Sequence, residues 1–560
     1  MSVAFPVSNG ATGMIGLVTG EGVLIVLYRG CVEREGLYSS AELPGVAFII
    51  TRGEKNSKIK KMDPWVLLAT LVVVLLSVWY IKSRYTHWSS MGVRTGFFLP
   101  FVGHSFGVLF CKDMWTPMEM GHKLCIEFGG FYGVYQFTKP QLLISEPDIM
   151  KLILIKDFDH FTDRPALTSD KDNITSHSIG NVTGEEWKIL RAIMSPTFSS
   201  GKIKRMFSLV CQNADTLVTS CLHQASKNPA LDMKDMFGRF TMDSIASCAF
   251  GIDCSSFVRE KPEFVQMAEK VFGLSSFSGM LKLIIRMSLP RLARALGISR
   301  DGPEVDFFRN VVEETIRTRE ESGQCRGDFL DLMLETRHQN NTTTTGKGKA
   351  VLSNDVVLAQ CITFLSAGFD TVSSTLYFVS HLLAQHPDQQ HRLRQELEAL
   401  VEEEGQLTYQ GVMEAKFLQA CINEALRLYP PAMTTVRTCT KPYQIPGTQI
   451  RLRVGDEVLY STRAVQRDPR FWQHPDKFQP DRFLPHNNHL ITPCSFLPFG
   501  MGPRNCIAMR FGLMEVKVAL SKLLLKSELK LSPGHENIQM KNWSIIATPV
   551  SESRIDVTPI

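Results

Sequence analysis

The chain has 560 residues, 44% of them hydrophobic, and a formal net charge of +5. A chain of this length and apolar content can bury a large core, and so small a positive charge does not indicate a nucleic-acid partner. Its 13 cysteines include no Cys-x-x-Cys pair, which argues against a zinc ribbon or a disulfide framework and for a reducing compartment. We therefore expect a globular enzyme.

The amino-terminal region predicts a single membrane segment. Residues 1–61 have no clear helical or strand period, and the sequence assigns them no function. Residues 64–81 lack charges, are rich in Leu and Val and carry Trp near both ends, so a transmembrane anchor is predicted at 62–84. A cleaved signal peptide is the alternative, but basic residues end the apolar run without a small-residue cleavage site. Met62 is an alternative to Met1 as the start of the working protein.

The rest of the chain predicts a linker at 85–104 and one large domain at 105–560. Short alternating runs at 132–137 and 141–145 are typical of strands in a small sheet. Helical patterns dominate afterwards. The expected fold class is therefore mainly α with a small β region.

A first candidate site lies on a helix that begins near residue 184. Trp187 and Arg191 stand at i and i+4 and therefore share one face of this helix. An indole N–H beside a guanidinium is suited to a carboxylate ligand. The alternative interpretation is an aromatic residue that caps the core next to an exposed arginine.

A segment at 272–292 mixes Leu and Ile with Lys282, Arg286 and Arg291. This composition is typical of a surface that dips into a layer of lipid headgroups. A core helix with solvated basic tips is an equally good interpretation.

A long helix predicted at 354–385 carries a second candidate site at its middle, which contains Ala367, Gly368, Asp370 and Thr371. The small side chains leave room beside the helix, and the Thr371 hydroxyl can bond back to a carbonyl and open the helix ladder. A pocket of that shape can hold oxygen and a water. The alternative is an Asp–Thr pair on a solvated surface.

The third candidate site is the loop at 499–508, which leads directly into a helix. Unsatisfied N–H groups and the positive end of the helix dipole favour a thiolate at Cys506. Gly500 and Gly502 allow the backbone to turn and to approach a flat ligand closely, and Arg504 can bind an acidic group on that ligand. Such a loop suits a haem, although a single cysteine without this context would be an inert buried thiol.

The loop resembles the haem-binding signature of the cytochrome P450 family, Phe-x-x-Gly-x-Arg-x-Cys-x-Gly. It matches at Phe499, Gly502, Arg504 and Cys506, while Ala508 replaces the usual final glycine. Alanine is the smallest possible change at that position.

The other motifs resemble those of the same family and occur in the family's order. Trp187 and Arg191 match its Trp-x-x-x-Arg helix, and residues 367–371 match its acid–alcohol motif, Ala/Gly-Gly-x-Asp/Glu-Thr. Glu424 and Arg427 match its Glu-x-x-Arg pair, which as an isolated helical pair would contribute only a few tenths of a kcal/mol.

The resemblance implies the cytochrome P450 fold, preceded by the single amino-terminal transmembrane anchor, with 105–560 as the haem-binding catalytic domain. It also implies a haem b whose iron is bound by the Cys506 thiolate. The residues implied to bind this cofactor are Trp187, Arg191, Arg437, Phe499, Arg504 and Cys506. Proton delivery to oxygen is implied for Asp370 and Thr371. A network that locks the fold is implied for Glu424, Arg427 and Arg482.

The similarity runs from about residue 92 to 556 and is greatest to the animal microsomal group of family 3 drug-metabolising enzymes and thromboxane synthase. It implies a monooxygenase that inserts one atom of O2 into a lipophilic xenobiotic, steroid or fatty acid. No Gly-x-Gly-x-x-Gly fingerprint or flavin-sized domain follows the haem region, so electrons must arrive from a separate protein. The expected donor is NADPH–cytochrome P450 reductase, with cytochrome b5 as a second donor.

The resemblance further implies a single-pass protein of the endoplasmic reticulum membrane with a cytosolic catalytic domain. The reductase is expected to dock on a basic patch formed by Lys188, Lys202, Lys204, Arg205 and Lys517. Two alternatives stay open. One is a haem-thiolate isomerase that rearranges a lipid peroxide without a reductase, against which the intact acid–alcohol pair counts. The other is a non-catalytic haem-binding protein.

Overall fold

The computed structural model describes residues 12–19, 22–29, 64–99, 102–104, 115–137, 139–165, 173–258, 263–271, 277–298, 301–323, 326–343, 352–542, 544, 546–550 and 553–560. The chain divides into two compact units, Met1–Val78 and Trp79–Ile560.

The first unit contains a β-hairpin that the sequence does not predict. β1 (Thr12–Thr19) and β2 (Gly22–Arg29) pair antiparallel, with Thr19 opposite Gly22. The two strands carry runs of consecutive apolar residues instead of an alternating pattern. This segment therefore lacks the alternation of apolar and polar residues by which a strand is predicted.

The predicted apolar segment forms helix α1 (Pro64–Tyr85). Its large apolar side chains are exposed, for example Trp65 at 76% and Trp79 at 68%. Among the described residues, one helix is long and apolar enough to cross a bilayer by length and composition, Asn354–Gln385, but over half of its apolar window is buried inside the protein, as in a core helix. A shorter apolar stretch, Leu71–Ser83, lies within α1.

Helices dominate the second unit, as the sequence predicts. They are α2 (Trp115–Glu127), α3 (Pro147–Lys151), α4 (Gly184–Met194), α5 (Ser200–Ala225), α6 (Met233–Ile245), α7 (Glu263–Val271), α8 (Phe277–Ser288), α9 (Pro290–Ala295), α10 (Pro303–Ser322), α11 (Phe329–Thr343), α12 (Asn354–Gln385), α13 (Pro387–Glu404), α14 (Tyr409–Glu414), α15 (Lys416–Leu428), α16 (Thr462–Val465) and α17 (Met509–Leu524). Two short π-helical segments follow α3 and α6 directly, Leu152–Lys156 and Ala246–Phe250.

The strands of this unit form small sheets. They are β3 (Phe131–Gln136), β4 (Lys139–Ile144), β5 (Ala230–Asp232), β6 (Thr434–Thr438), β7 (Tyr443–Gln444), β8 (Arg451–Leu452), β9 (Glu457–Ser461), β10 (Ser527–Leu531) and β11 (Arg554–Pro559). The largest has the order β3-β4-β9-β6, in which β9 is parallel to β4 and antiparallel to β6. β3 and β4 confirm the two strands predicted from alternation.

α12 is the central helix of the core. Ser353 caps its first turn by accepting a hydrogen bond from the Val356 N–H, at 3.3 Å. Most of its side chains are buried against α6, α15 and α17. Ala367, in the middle of this buried helix, is nevertheless exposed, so the helix faces an internal space there.

The predicted fold-locking network is confirmed. Arg427 donates to both carboxylate oxygens of Glu424, at 2.7 and 2.8 Å, and both side chains are fully buried. Arg482 Nε lies 3.3 Å from Glu424. Arg427 also donates to the carbonyl oxygens of Gln466 and Pro475, so the network ties α15 to the segment before the Cys506 loop.

We expect Arg427→Met to lower the free energy of unfolding by about 3–5 kcal/mol, because Glu424 would keep its buried charge without its main partner. The matched control is Arg392→Met, which breaks the half-exposed pair with Asp481 and should cost less than about 1 kcal/mol. Chemical denaturation of both variants measures the difference. If both variants lost the same free energy of unfolding, the assignment of the Glu424–Arg427 network to the core would be contradicted.

Candidate functional site

The Cys506 loop is held in a tight conformation that depends on glycine. The Cys506 N–H donates to the Phe499 carbonyl at 2.8 Å, and Gly500 and Gly502 have φ values of +68° and +75°. A Cβ atom on Gly502 would lie 1.8 Å from the Leu154 carbonyl oxygen. Gly502 therefore allows the close approach of the π-helical segment Leu152–Lys156, whereas the sequence suggests that the glycines serve approach to a ligand.

The Cys506 thiol lies just before helix α17, as predicted, and its surroundings act on its pKa in opposite directions. Burial raises the pKa of the thiol, while the Ala508 N–H and the charges of Arg164 and Arg191 lower it less. In the metal-free site, burial thus opposes the thiolate that the helix terminus and the two arginines favour. The side chain keeps accessible surface although it lies deep in the protein, so it faces an internal space. A coordinated metal ion would deprotonate this thiol outright.

Four arginines gather beside this loop: Arg164, Arg191, Arg437 and Arg504. Arg504 is 2% exposed and its guanidinium carbon lies 4.0 Å from the centre of the Trp187 ring. Burial, together with repulsion from Arg164, lowers the pKa values of Arg437 and Arg504 to about 9.

Little negative charge compensates this cluster. In the described part of the chain, the carboxylate within ion-pair distance is Asp163, 3.6 Å from Arg504. Arg437 is 1% exposed, and its Nε and Nη2 atoms have no hydrogen-bond partner in the protein. Buried donors of this kind require an acceptor. The residues present therefore fit a bound group that carries carboxylates, as a haem does with its two propionates.

The other arginines use their donors on the protein itself. Arg191 donates to the carbonyl and side-chain oxygens of Asn505, at 3.0 and 2.9 Å. Arg504 donates to the carbonyl oxygens of Thr162 and Val182, at 2.8 and 3.0 Å. These contacts fix the position of the Cys506 loop, whereas Arg437 keeps two buried donors available for an acid.

Sequence reasoning missed Arg164. Its Nη2 donates to the Arg504 carbonyl at 2.6 Å, and its charge acts on Cys506. No motif of the sequence analysis includes it. The signal available was a single basic residue before Pro165.

The acid–alcohol segment lies on α12 at the point where that helix faces the internal space. The Thr371 hydroxyl donates to the Ala367 carbonyl at 2.6 Å, which confirms the predicted bond within the helix. A Cβ atom on Gly368 would lie 2.6 Å from Ile245 Cδ1, so this glycine allows close packing of α12 on α6. Gly368 thus serves the packing of α12 on α6, and exposed Ala367 borders the space beside the helix.

Asp370 is held in an ion pair that the sequence does not reveal. Lys234 of α6 lies 3.2 Å from its carboxylate and donates to the Ser373 hydroxyl at 2.5 Å. Burial lowers the pKa of Lys234, and Asp370 partly offsets that shift. Asp370 is thus directed toward α6 by a charge-assisted hydrogen bond.

The structure brings the two regions together through α17. Gly512 of α17 packs against Val372 of α12, because a Cβ atom on Gly512 would lie 3.7 Å from Val372 Cγ2, an ordinary van der Waals contact. Phe499 packs against the main hydrophobic core. The Cys506 loop and the Ala367–Thr371 turn are therefore carried by helices that touch.

One residue of the predicted docking patch is misplaced. Lys517 is fully buried on α17, and its ammonium donates to the Met413 carbonyl at 2.7 Å. Burial lowers its pKa to about 8. Lys517 therefore cannot belong to a surface patch. Lys188, Lys204 and Arg205 are exposed and Lys202 is partly exposed.

Comparison with known proteins matches residues 94–557 to the family model named Cytochrome P450. Cytochrome P450 9e2 of Blattella germanica is 34% identical over 497 residues, which cover 83% of this chain and 92% of the relative. Cytochrome P450 3A9 of Rattus norvegicus is 35% identical over 83% of this chain and 90% of the relative. Probable cytochrome P450 6a18 of Drosophila melanogaster is 36% identical over 70% of this chain and 78% of the relative.

A family match over most of the chain accords with the mainly helical fold and with the cysteine loop beside an arginine cluster. Members of this family bind haem through a cysteine thiolate. The chain belongs to the cytochrome P450 family and is a haem-thiolate monooxygenase of the microsomal animal type.

Proposed function

We propose that this enzyme inserts one oxygen atom from O2 into a lipophilic small molecule, with electrons from NADPH delivered by a separate reductase. The observation that carries the proposal is the uncompensated arginine cluster beside Cys506, with two unpartnered donors on Arg437. Cys506 would bind the iron, and Arg437 the propionates together with Trp187, Arg164 and Arg191. Arg504 and Phe499 would hold the loop around the cofactor. When bound, the haem supplies the oxygen-activating chemistry.

The protein's own part in that chemistry is to position oxygen and to supply protons. Ala367 borders the space beside α12, and the Thr371 hydroxyl is one turn further along the same face. Thr371 must release the Ala367 carbonyl before its proton can be donated elsewhere. Lys234 pairs with the Asp370 side chain and positions it beside the helix, from which it can accept and return protons.

A membrane location is part of the proposal. α1 exposes Trp and Leu side chains along an apolar helix, which is the surface that a bilayer covers. α8 and α9 add exposed Leu281 and Leu292 beside exposed Lys282 and Arg291, a composition suited to the headgroup layer. We place the catalytic domain on the cytosolic face of the endoplasmic reticulum, with 62–84 as anchor, 85–104 as linker and 105–560 as the catalytic domain. Lipophilic substrates would then partition to the site from the bilayer.

The redox partner is proposed to be NADPH–cytochrome P450 reductase, with cytochrome b5 as a second donor. α4 and the start of α5 expose Lys188, Lys204 and Arg205. α4 also carries Arg191, which binds the Cys506 loop, so the basic surface lies on an element that touches the thiolate loop. An acidic partner docked there would have a short path to the cofactor.

Arg437→Met is expected to act in opposite directions on the haem-free and haem-loaded protein. Without haem, the change removes a buried cation whose Nε and Nη2 lack a protein acceptor, so the free energy of unfolding should rise. With haem, the loss of charge-assisted hydrogen bonds should speed haem dissociation roughly 10- to 150-fold. Thermal unfolding and haem transfer to an acceptor protein measure the two effects.

The control for this prediction is Arg319→Met. Arg319 is also buried, but it is paired with Asp328 at 2.5 Å and with Asp331. Its loss should destabilise the protein in both states. A haem-free Arg437→Met protein that loses stability as Arg319→Met does would contradict the role proposed for Arg437.

Thr371→Ala is expected to leave haem content and NADPH consumption largely unchanged and to lower product formation. Losing one hydrogen bond in the protonation step should reduce product per NADPH roughly 5- to 150-fold, with hydrogen peroxide or excess water in its place. The control is Thr375→Ala, which removes an equivalent bond to the Thr371 carbonyl, at 2.7 Å, one turn further into the core. Unchanged coupling in Thr371→Ala would exclude Thr371 from the mechanism. NADPH-independent conversion of a lipid peroxide, indifferent to the alanine, would favour the isomerase.

A further inference from the structure

The segment 173–182, between the described residues 139–165 and helix α4, is hydrogen-bonded to α12 through the side chain of Gln360. Gln360 Nε2 donates to the His177 carbonyl at 2.8 Å, and Gln360 Oε1 accepts from the Ile179 N–H at 2.9 Å. One amide thus satisfies a carbonyl and an N–H that lie two residues apart on the segment. Two bonds of this kind fix both the position and the orientation of the backbone.

Gln360 is itself rigidly placed. It is fully buried, and its Nε2 also donates to the Val356 carbonyl one turn earlier in α12, at 3.1 Å. All of its polar atoms are therefore engaged with carbonyl or N–H groups of the backbone. A buried amide with this arrangement holds one rotamer, because any other would leave polar groups unpaired.

The same segment is fastened to the Cys506 loop from the other side. Arg504 donates to the Val182 carbonyl at 3.0 Å and makes a longer bond of 3.4 Å to the Ile179 carbonyl. Ile179 is thus held through its N–H by α12 and through its carbonyl by the cysteine loop. The start of the segment has its own bond, from the Ile174 N–H to Asp301 at 2.9 Å.

The position of Gln360 on α12 relates this contact to the acid–alcohol turn, Ala367–Thr371. Gln360 precedes Ala367 by seven residues, so the two share one helix face about 10 Å apart along the axis. Thr371 lies one turn further on that face. The segment 173–182 consequently covers the face of α12 that carries the acid–alcohol turn, two helical turns before it.

We propose that Gln360 is a positioning residue that fixes segment 173–182 as a wall of the substrate space, at a set distance from Ala367 and Thr371. This proposal rests on the function proposed above, since it concerns where a substrate lies in the same site. Loss of the Gln360 amide would let the wall move while the haem and the proton-delivering residues stay in place. Substrate would then bind more weakly and present more than one carbon to the oxygen.

The test uses the haem-loaded enzyme and the Gln360→Met variant, which keeps the side-chain length and removes both bonds to the segment together with the bond to the Val356 carbonyl. Gln385→Met is the matched control, because Gln385 lies on the same helix, is exposed and bonds to the Glu536 carbonyl instead. Amide hydrogen exchange should become roughly 5- to 150-fold faster at Ile179 and its neighbours in Gln360→Met and stay unchanged in the control. With a substrate that wild type oxidises, the spectral dissociation constant should rise and the product mixture broaden at an unchanged haem content.

Unchanged exchange at Ile179 in a haem-loaded Gln360→Met protein would overturn the proposal, and so would an unchanged product mixture. If the variant does not fold, the wild-type enzyme decides. Its Ile179 amide should then exchange as slowly as the core amides of α12. Exchange at the rate of an exposed loop would overturn the proposal that Gln360 fixes the segment. Amide exchange is measured without turnover. A wild-type enzyme that oxidises no substrate would therefore contradict the proposed function, and the contact between Gln360 and segment 173–182 could still be tested.

Discussion

The site depends on buried positive charge that the protein does not neutralise. Arg437 and Arg504 are almost fully buried, Arg164 and Arg191 lie close by, and Asp163 is the nearby carboxylate. Burial of like charges in a low-dielectric interior is unfavourable, and the lowered pKa values of Arg437 and Arg504 reflect this. Such an arrangement is stable in a protein when an anionic group completes it. In the function we propose, the cofactor is thus a structural partner of the arginines as well as the source of the oxygen chemistry.

Arg504 links this charge cluster to the rest of the domain. Its side chain bonds to backbone carbonyls on both sides of the segment that leads into α4, and its ring contact with Trp187 adds a cation–π interaction. Gln360 fastens the same segment to α12. The two regions to which we assign the chemistry are the Cys506 loop and the Ala367–Thr371 turn. They are therefore joined through one short segment as well as through the contact between α12 and α17.

Local motifs predict the parts of this structure in which the partners are close in sequence. The bond from Thr371 to Ala367 and the Glu424–Arg427 pair each span one helical turn, so spacing alone is sufficient. Partners that meet only through tertiary packing are not visible in such spacing. Lys234 meets Asp370 from another helix, and Lys517 is directed into the core by the orientation of α17, which a count of basic residues does not reveal. Burial raises the pKa of the Cys506 thiol, an effect of tertiary packing that the helix-terminus argument leaves out, and a bound iron favours the thiolate against it.

The central claim is that Cys506 is the thiolate that binds the haem iron, and the spectrum of the reduced carbon-monoxide complex tests it most directly. The measurement compares wild type with Cys506→His and with Cys494→Ser, a control in which a buried cysteine twelve residues earlier is changed. The account predicts that wild type and the control show the long-wavelength band of a thiolate complex, and that Cys506→His binds haem without it. A thiolate band that persists in Cys506→His would contradict the account.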